Sequence, residues 1–473
     1  MKLPQAFLES LEGVKGFDRE SFIKVHNEGG QVTSIRINLD KTDARTLWTE
    51  DKDLKMGQID PATTPKRIPW TEFGYYLPER PSFTFDPLFH AGCYYVQDAS
   101  SMFLEQAMGQ LTDMSQPLKV LDLSAAPGGK TTHLLSMLSE ESLLVSNEVI
   151  RTRCNILIDN VIKWGKSNAL VTNNDPAAFK RLPGFFDVIV VDAPCSGSGL
   201  FRKDPGAIAE WSLNNVALCS QRQQRILADV LPALKENGLL IYSTCSYSEA
   251  EDESIADWLV TELDMKNERL RLKEEWSIVE SVSPDHGSFG YRFYPDKVKG
   301  EGFFISCFRK ITDEKEAGGK LPRVETASLK EKQILKAWLK SDSVEILKDH
   351  DTFRALPAIF INDFTRLRAN LNIQYTGTEL GQIMKERLVP HHALALSSLL
   401  SPDVATTSLD YTEAIKYLQR QDLATIPESK GWQTVSYQNH PLGWINALAN
   451  RINNYYPKEM RILKQSNDSA FEK

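Results

Sequence analysis

Long apolar runs are missing from this chain of 473 residues. No stretch approaches the roughly eighteen consecutive apolar residues of a membrane span, and Met1–Glu9 has no apolar core of the signal-peptide kind. A cytoplasmic protein without a membrane partner is therefore expected. Cysteine is scarce: Cys93, Cys154, Cys195, Cys219, Cys245 and Cys307 include no Cys-x-x-Cys pair and no Cys/His zinc spacing. A disulfide scaffold and a zinc module are disfavoured, and reduced thiols with no metal are expected. Basic excess is absent as well. A net charge of −8 argues against a surface that binds polyanions everywhere, so nucleic-acid contact must come from local basic patches. Repeats and low-complexity tracts are lacking. What remains, 41% hydrophobic and 25% charged, is ordinary globular composition, and the length suits about three domains.

The most informative stretch present is Val120–Thr132, VLDLSAAPGGKTT. Val120, Leu121 and Leu123 form the short apolar run of a buried parallel strand. Ala125, Ala126, Pro127 and Gly128-Gly129 make a tight turn, and a helix follows with Leu134, Leu135 and Leu138 on one face. Such a turn lets the backbone approach a ligand, with the free N–H groups of the helix start aimed at it. A phosphate-binding loop would need Gly at position 124, where Ser124 stands. The alternative guest is S-adenosylmethionine, its ribose held by an acid closing the next strand. Ser142–Ser146 is such a strand, and Glu148 follows it.

The organisation around that stretch is legible. Residues 1–115 read as a mixed α+β domain: helices over Pro4–Leu11 and Asp18–His26, a strand over Val32–Asn38 and a loop over Asp51–Trp70. A helix capped by Asp98 and ended by Gly109 closes the domain. Residues 116–312 alternate strands near Val120, Leu143, Leu170, Val188 and Leu239 with helices over 129–139, 150–164 and 209–235, the rhythm of a doubly wound parallel sheet. Two late strands, Gly290–Tyr294 and Gly302–Arg309, follow a helix at Glu249–Leu263. Residues 313–385 read as a linker, with Gly318-Gly319 and Pro322, followed by a helical intermediate region patterned at Leu329–Leu347 and Leu380–Glu386. Residues 386–473 form a last domain with strand-like pieces.

Two further motifs carry chemistry. Asp192-Ala-Pro-Cys195-Ser-Gly-Ser-Gly199 follows the apolar strand Val188–Val191, and Ser243-Thr-Cys245-Ser follows Leu239–Tyr242. Both fall in the crevice at the carboxyl ends of the strands, where ligands bind in such sheets. One buried cysteine is usually packing; two beside a methyl donor suggest covalent catalysis. Carbon 5 of cytosine is too electron-poor to take a methyl group directly. A thiolate adding to carbon 6 makes carbon 5 nucleophilic. Asp192 is placed to stabilise charge at ring nitrogen 3, and the second thiol suits the elimination that releases the enzyme.

VLDLSAAPGGKT, Asn147-Glu148, Asn173-Asn174-Asp175, DAPCSGSG at 192–199 and STCS at 243–246 together resemble the Nop2/Sun RNA cytosine-5 methyltransferases, over about 200 residues. The resemblance implies a Rossmann-like S-adenosylmethionine-dependent core. It implies Cys245 as nucleophile, Cys195 as the residue that assists release, and Ser124, Ala125, Ala126, Pro127, Gly128, Gly129 and Lys130 around the methionine moiety. Glu148 would hold the ribose and Asp175 contact the adenine, with Asp192 between methyl donor and base. Arg36 and Asn38 resemble the family's amino-terminal R-x-N element, Tyr95–Asp98 with Ser100–Met102 the entry to the catalytic domain, and Gly302-Phe303-Phe304 its closing strand. One departure stands out: Pro295-Asp296 occupies the place of Pro-His. The carboxyl-terminal extension resembles a PUA-like RNA-binding module of bacterial members that modify 16S ribosomal RNA. The implied partner is thus ribosomal RNA of the small subunit, bound by a monomer.

In that tail Arg451, Lys458, Arg461 and Lys464 lie near Trp444, Tyr455 and Tyr456, a possible stacking and phosphate surface. Ile150, Cys154, Leu157 and Val161 form a core stripe. Cys93, Cys154, Cys219 and Cys307 are expected to be buried spectators, and His391-His392 a surface pair. Three other functions compete: a transfer-RNA methyltransferase, a P-loop ATPase, which Ser124 and the twin cysteines disfavour, and a non-catalytic ribosome-assembly factor.

Overall fold

The structure, a computed structural model of the chain, describes residues 2–28, 30–43, 47, 65–312, 322–425 and 429–464. Most of the expected Asp51–Trp70 loop, and Gly318-Gly319 of the expected linker, lie outside the described residues. The described end of that loop is not all irregular, because Lys66–Arg67 pairs as a short strand.

Helices Gln5–Ser10 and Arg19–Asn27 open the chain, the second capped by Asp18, which accepts from Ser21 N at 2.8 Å. Strands β1 (Thr33–Ile37), β2 (Lys66–Arg67), β3 (Gly74–Leu77) and β4 (Tyr94–Val96) form an antiparallel sheet in the order β2-β3-β1-β4. Asp98 is not the expected cap: Ala99 holds the N-cap place of a 3-10 turn at Ser100–Phe103, and Asp98 accepts from Ser100 N just ahead of it. The helix Leu104–Leu111 continues through Gly109 and stops at Thr112, whose N–H reaches Met108 O. A single glycine costs an interior helical position only about 1 kcal/mol, and buried Leu104, Ala107 and Met108 hold this helix in place.

The central sheet holds β5 (Lys119–Asp122), β6 (Leu143–Asn147), β7 (Ala169–Thr172), β8 (Phe186–Asp192), β9 (Leu234–Thr244), β10 (Met265–Glu268), β11 (Val279–Val282), β12 (Phe289–Phe293) and β13 (Phe303–Lys310). Strands β9-β8-β5-β6-β7 run parallel, β13, β12 and β11 extend one edge antiparallel, and β10 pairs with β13. Chain order reverses at β5, with β6 on one side and β8 on the other. That switch point is where an open α/β sheet leaves a crevice at its carboxyl ends. Helices Gly129–Met137, Arg151–Trp164, Leu213–Val230 and Glu253–Glu262 cover the two faces. Val120, Leu144 and Val188 turn toward one apolar layer, Leu121, Val145 and Ile189 toward the other. Ile150 does not join the expected stripe; it stands just ahead of its helix and is 48% exposed.

The intermediate region is mixed rather than helical. Among the described residues Leu329–Lys336, the first part of the expected Leu329–Leu347 helix, and Ile361–Asn370 are α-helices, while β14 (Val344–Asp349), β15 (Thr352–Pro357), β17 (Thr378–Met384) and β18 (Arg387–Pro390) form a sheet. Leu380–Glu386 was too short for periodicity to separate strand from helix. Gly381 decides locally: at φ +123° an added Cβ would meet Val389 O at 2.1 Å, so the backbone is pressed against its hairpin partner. The pairing of β17 with β18 also crosses the expected boundary at 385/386. Between β15 and β17 in the chain, β16 (Ile373–Thr376) stays out of this sheet and joins the edge of the central one, antiparallel to β7. A last sheet, β19 (Thr406–Ser408), β20 (Gly431–Tyr437), β21 (His440–Ala447) and β22 (Ile452–Asn454), packs with the helix Tyr411–Leu418. No helix among the described residues is long and apolar enough to cross a membrane.

Candidate active site

The turn after β5 is held from outside rather than by its own side chains. Ala125 N donates to Asn147 O at 2.8 Å, Arg153 Nη2 to Ala126 O at 2.6 Å and Asn160 Nδ2 to Pro127 O at 2.8 Å. Gly128 sits at φ +114°, a region that costs any other residue strain. Gly129 starts the helix, so the first N–H groups of that helix have no partners within it. Beneath the turn Asp122 is fully buried and accepts from Thr131 Oγ1 at 2.7 Å. Burial pushes its carboxyl up to about 7.

The remaining cofactor candidates line the same crevice. Glu148 is buried, and Oε1 accepts from Ile150 N at 2.9 Å. Oε2 faces the Arg153 guanidinium at 3.5 Å, beyond good hydrogen-bond distance, so it retains acceptor capacity. Val149 beside it is 56% exposed and, with Ile150, gives an apolar ledge of the kind a planar ring packs on. Asp175 is half exposed, accepts from Ala177 N at 3.0 Å and pairs with Arg225 at 3.5 Å. A hydroxyl acceptor, an apolar ledge and a helix amino terminus fit the ribose, adenine and carboxylate of S-adenosylmethionine.

Asp192 ends β8 at the other wall. Ser243 Oγ donates to its Oδ1 at 2.9 Å, and Lys130 Nζ lies 2.7 Å from its Oδ2 and 5.2 Å from the Phe303 ring centroid. Beyond it Cys195 Sγ and Cys245 Sγ stand 3.0 Å apart, both partly exposed and both free thiols. The shared hydrogen with Cys245, then burial, holds the Cys195 thiol well above its usual range. The loops carrying the two thiols are zipped together: Gly199 N donates to Cys245 O at 2.8 Å and Gly302 N to Gly199 O at 3.3 Å. A Cβ on Gly199 would meet Gly302 O at 2.6 Å and Cys245 O at 2.8 Å, so only glycine permits that approach.

Residues outside the central sheet brace the site. Arg36, wholly buried, donates to Gln97 Oε1 at 2.9 Å and to Thr132 Oγ1 at 2.5 Å. Asn38 donates to Gly92 O and Trp164 O, both at 3.1 Å. The R-x-N element therefore joins the first domain to the helices that flank the turn. Asp98 pairs with Lys203 at 2.9 Å, and Ser100 Oγ reaches Glu301 O at 2.8 Å, tying the entry segment to the closing strand. Asp296, where Pro-His was expected, is half-buried, accepting from Ser21 Oγ at 2.9 Å and pairing with Lys297 at 3.1 Å.

Two expectations need correction. Trp444 and Tyr456 are buried, Trp444 Nε1 donating to His391 O at 2.8 Å, so neither is available to stack on RNA. Tyr455, against Trp432 at 4.3 Å, remains 41% exposed, and Arg451, Lys458, Arg461 and Lys464 are exposed around it. His392 is buried rather than on the surface, with its ring edge-on to Tyr456. Glu251, five residues after STCS and without a motif of its own, makes contacts that reach both thiol loops. Cys93, Cys154, Cys219 and Cys307 are buried as expected. Among the described residues no group of His, Cys, Asp or Glu gathers as a metal site.

Three family models match the chain. One described as "16S rRNA methyltransferase RsmB/F" covers residues 111–309, one for the "N-terminal domain of 16S rRNA methyltransferase RsmF" covers 3–99, and one for the "Methyltransferase RsmF PUA domain" covers 404–462. The ribosomal RNA small subunit methyltransferase F of Shewanella baltica (strain OS185) is 29% identical over 450 residues, 90% of each chain. That of Vibrio vulnificus (strain YJ016) is 28% identical over 480 residues, 97% of each. Among solved structures, a methyltransferase homolog protein from Pyrococcus horikoshii superposes with a TM-score of 0.51 at 27% identity, covering 65% of this chain and all of that one. NSun6 from Pyrococcus horikoshii with SFG has a similar fold, with a TM-score of 0.53 at 20% identity, over 66% of this chain and 99% of that one.

Proposed function

We propose that this S-adenosylmethionine-dependent rRNA methyltransferase, whose chain matches the models of the 16S rRNA methyltransferases RsmB/F and RsmF over residues 3–99, 111–309 and 404–462, methylates carbon 5 of a cytosine in 16S rRNA of the small subunit through a covalent adduct with Cys245. The observation that carries this reading is the pair of thiols 3.0 Å apart at the ends of adjacent parallel strands, next to Asp192.

S-adenosylmethionine, when bound, supplies an electrophilic methyl group. Ser124 to Lys130 bind its methionine end, with the helix amino terminus at Gly129 favouring the carboxylate. Glu148 accepts from the ribose hydroxyls, and Asp175 borders the adenine beside Val149 and Ile150. Cys245 Sγ, as thiolate, adds to carbon 6, and the Lys130–Asp192 pair supplies and holds the proton taken up at ring nitrogen 3. Carbon 5 is then nucleophilic and takes the methyl group. Cys195, protonated while Cys245 is the nucleophile, gives its proton to solvent once the adduct has formed and then acts as the base in its thiolate form. Removal of the carbon 5 proton by that thiolate restores the ring double bond and expels Cys245, and the proton at ring nitrogen 3 returns to the Lys130–Asp192 pair. The exposed basic residues around Tyr455 contact phosphate, in a monomer whose domains are residues 1–115, 116–312, an intermediate region and the carboxyl-terminal PUA-like domain.

Denaturing gels of variants with rRNA and cofactor test the mechanism. Cys195→Ala is expected to accumulate a protease-sensitive protein–RNA band and Cys245→Ala to give none; no band with either sinks the adduct. Bisulfite mapping of rRNA and tRNA from a deletion strain tests the target, and loss of a mark in tRNA alone replaces the 16S assignment.

A further inference from the structure

We infer that Glu251 is a positioning residue that sets the spacing of the two thiols, by holding with one carboxylate the residue that follows each of them. The inference rests on the two-thiol reading for its catalytic consequence, while the geometry stands by itself.

Glu251 is wholly buried in the turn between β9 and the helix Glu253–Glu262. Its Oε1 accepts from Ser196 N at 2.7 Å, and its Oε2 accepts from Ser196 Oγ at 2.5 Å and from Ser246 Oγ at 2.6 Å. Gln223 Nε2 approaches Oε1 at 3.4 Å, and Tyr242 OH donates to the Glu251 carbonyl at 2.6 Å, fixing the backbone from which the carboxylate reaches. Ser196 follows Cys195 and Ser246 follows Cys245. A single group therefore bonds to both arms of the thiol pair, with charge-assisted bonds in a dry interior, where they are at their strongest.

The next two residues complete the hold on Cys245. Asp252 accepts from Thr244 Oγ1 at 2.7 Å, so the nucleophile candidate is gripped on both sides. Arg292 pairs with Asp252 at 3.2 Å, makes a two-pronged contact with Glu253 and donates to Tyr247 O at 3.0 Å. That guanidinium balances the buried negative charge, which would otherwise be costly. The charge of Glu251 also adds, after the hydrogen shared with Cys245 and burial, to what holds the Cys195 thiol above its usual range. Placement of the pair thus depends on one side chain that touches neither sulfur.

The test reads thiol spacing directly. Phenylarsine oxide condenses with two neighbouring thiols, forming two As–S bonds and releasing water, and it does so efficiently only when both sulfurs reach one arsenic. On the full-length chain, wild-type capture is expected to vanish in Cys195→Ala and Cys245→Ala. Glu251→Ala is expected to slow capture at least about tenfold, because the second bond loses its effective concentration, and to slow methylation about a hundredfold. Glu251→Gln, which still accepts from Ser196 N and donates to both hydroxyls, is expected to restore both. Should Glu251→Ala not fold, Ser246→Ala, which removes the whole of the Cys245 arm, takes its place; Ser196→Ala would leave the Ser196 N–H bond to Oε1 standing. Wild-type capture in the arm-removing variants, or methylation lost with capture unchanged, overturns the inference. Capture that follows Glu251 while no RNA adduct forms in either cysteine variant overturns the covalent mechanism and leaves the clamp standing.

Discussion

At the residue scale, the proposed roles separate by what each side chain still has to give. Glu148 is the clearest case, because Oε1 is occupied by Ile150 N and Oε2 is left for a ligand. Glu148→Ala is expected to weaken S-adenosylmethionine binding, each charge-assisted bond being worth about 1.5–3 kcal/mol, and calorimetry with unchanged affinity removes the ribose assignment. Asp122 is the contrast: an acid at the end of β5, wholly buried, it accepts from Thr131 Oγ1 and ties the start of the following helix to the strand. The chemical residues were legible because thiols after apolar strands, a Gly-Gly turn and an acid after the next strand each have a distinctive local pattern. Glu251 was not, since its partners Ser196 and Ser246 are set by how two distant loops pack, and an acid in an acidic run reads as solvated surface.

At the element scale, the edge strand β16 changes what the central sheet is. Asn173 N donates to Asn372 O and Asn372 N to Asn174 Oδ1, both at 3.0 Å, and Asn173 Nδ2 reaches Glu148 O at 2.6 Å. The loop proposed to carry the adenine contact is therefore lashed to a strand from far down the chain. Phe360, Phe364, Leu367 and Leu371 enter the same apolar layer as Leu121, Val145 and Leu170. A chain ending at Thr312 is expected to be strongly destabilised, since each large apolar side chain lost from a core costs about 2–5 kcal/mol, and its bared β7 edge invites aggregation. A chain ending at Pro402 keeps β16 and is expected to retain cofactor affinity while losing RNA affinity. Melting curves and calorimetry on the two truncations check this; equal stability of both contradicts the role given to β16.

At the scale of the whole molecule, the two ends of the chain share a core. Leu88 and Tyr94 of the first domain pack with Leu409, Ile415 and Tyr456 of the last, and Tyr411 OH donates to Phe85 O at 3.0 Å. Near this joint Tyr456 OH lies 3.4 Å from His90 Nδ1, with His392 edge-on to the same ring. Burial lowers His90 to about 4 and His392 to about 3, and likewise His26 and His133 to about 4. A histidine depressed in the fold favours the unfolded chain once that chain takes up protons below about 6.5. Each histidine then removes up to about 1.4 kcal/mol per pH unit, until the folded form titrates near 3–4. Asp122, raised to about 7, acts in the opposite sense over part of this window, as do Asp252, Glu251, Glu301 and Asp159, which burial also raises. The histidine contribution is isolated by substitution: His392→Phe is expected to lose less melting temperature than the unaltered chain between pH 6.5 and 4.5, and identical slopes refute it. The sequence by itself determined the parallel sheet, the turn at Gly128-Gly129 and the two thiol loops, because each rests on a run of neighbours whose periodicity or turn chemistry is local. Tertiary structure alone decided that Leu380–Glu386 is a strand, that β16 completes the catalytic sheet, that Trp444 and Tyr456 are core and that Glu251 joins the thiols. Each of those depends on which distant surface a segment meets, and burial against it outweighs the weak local preference of a few residues.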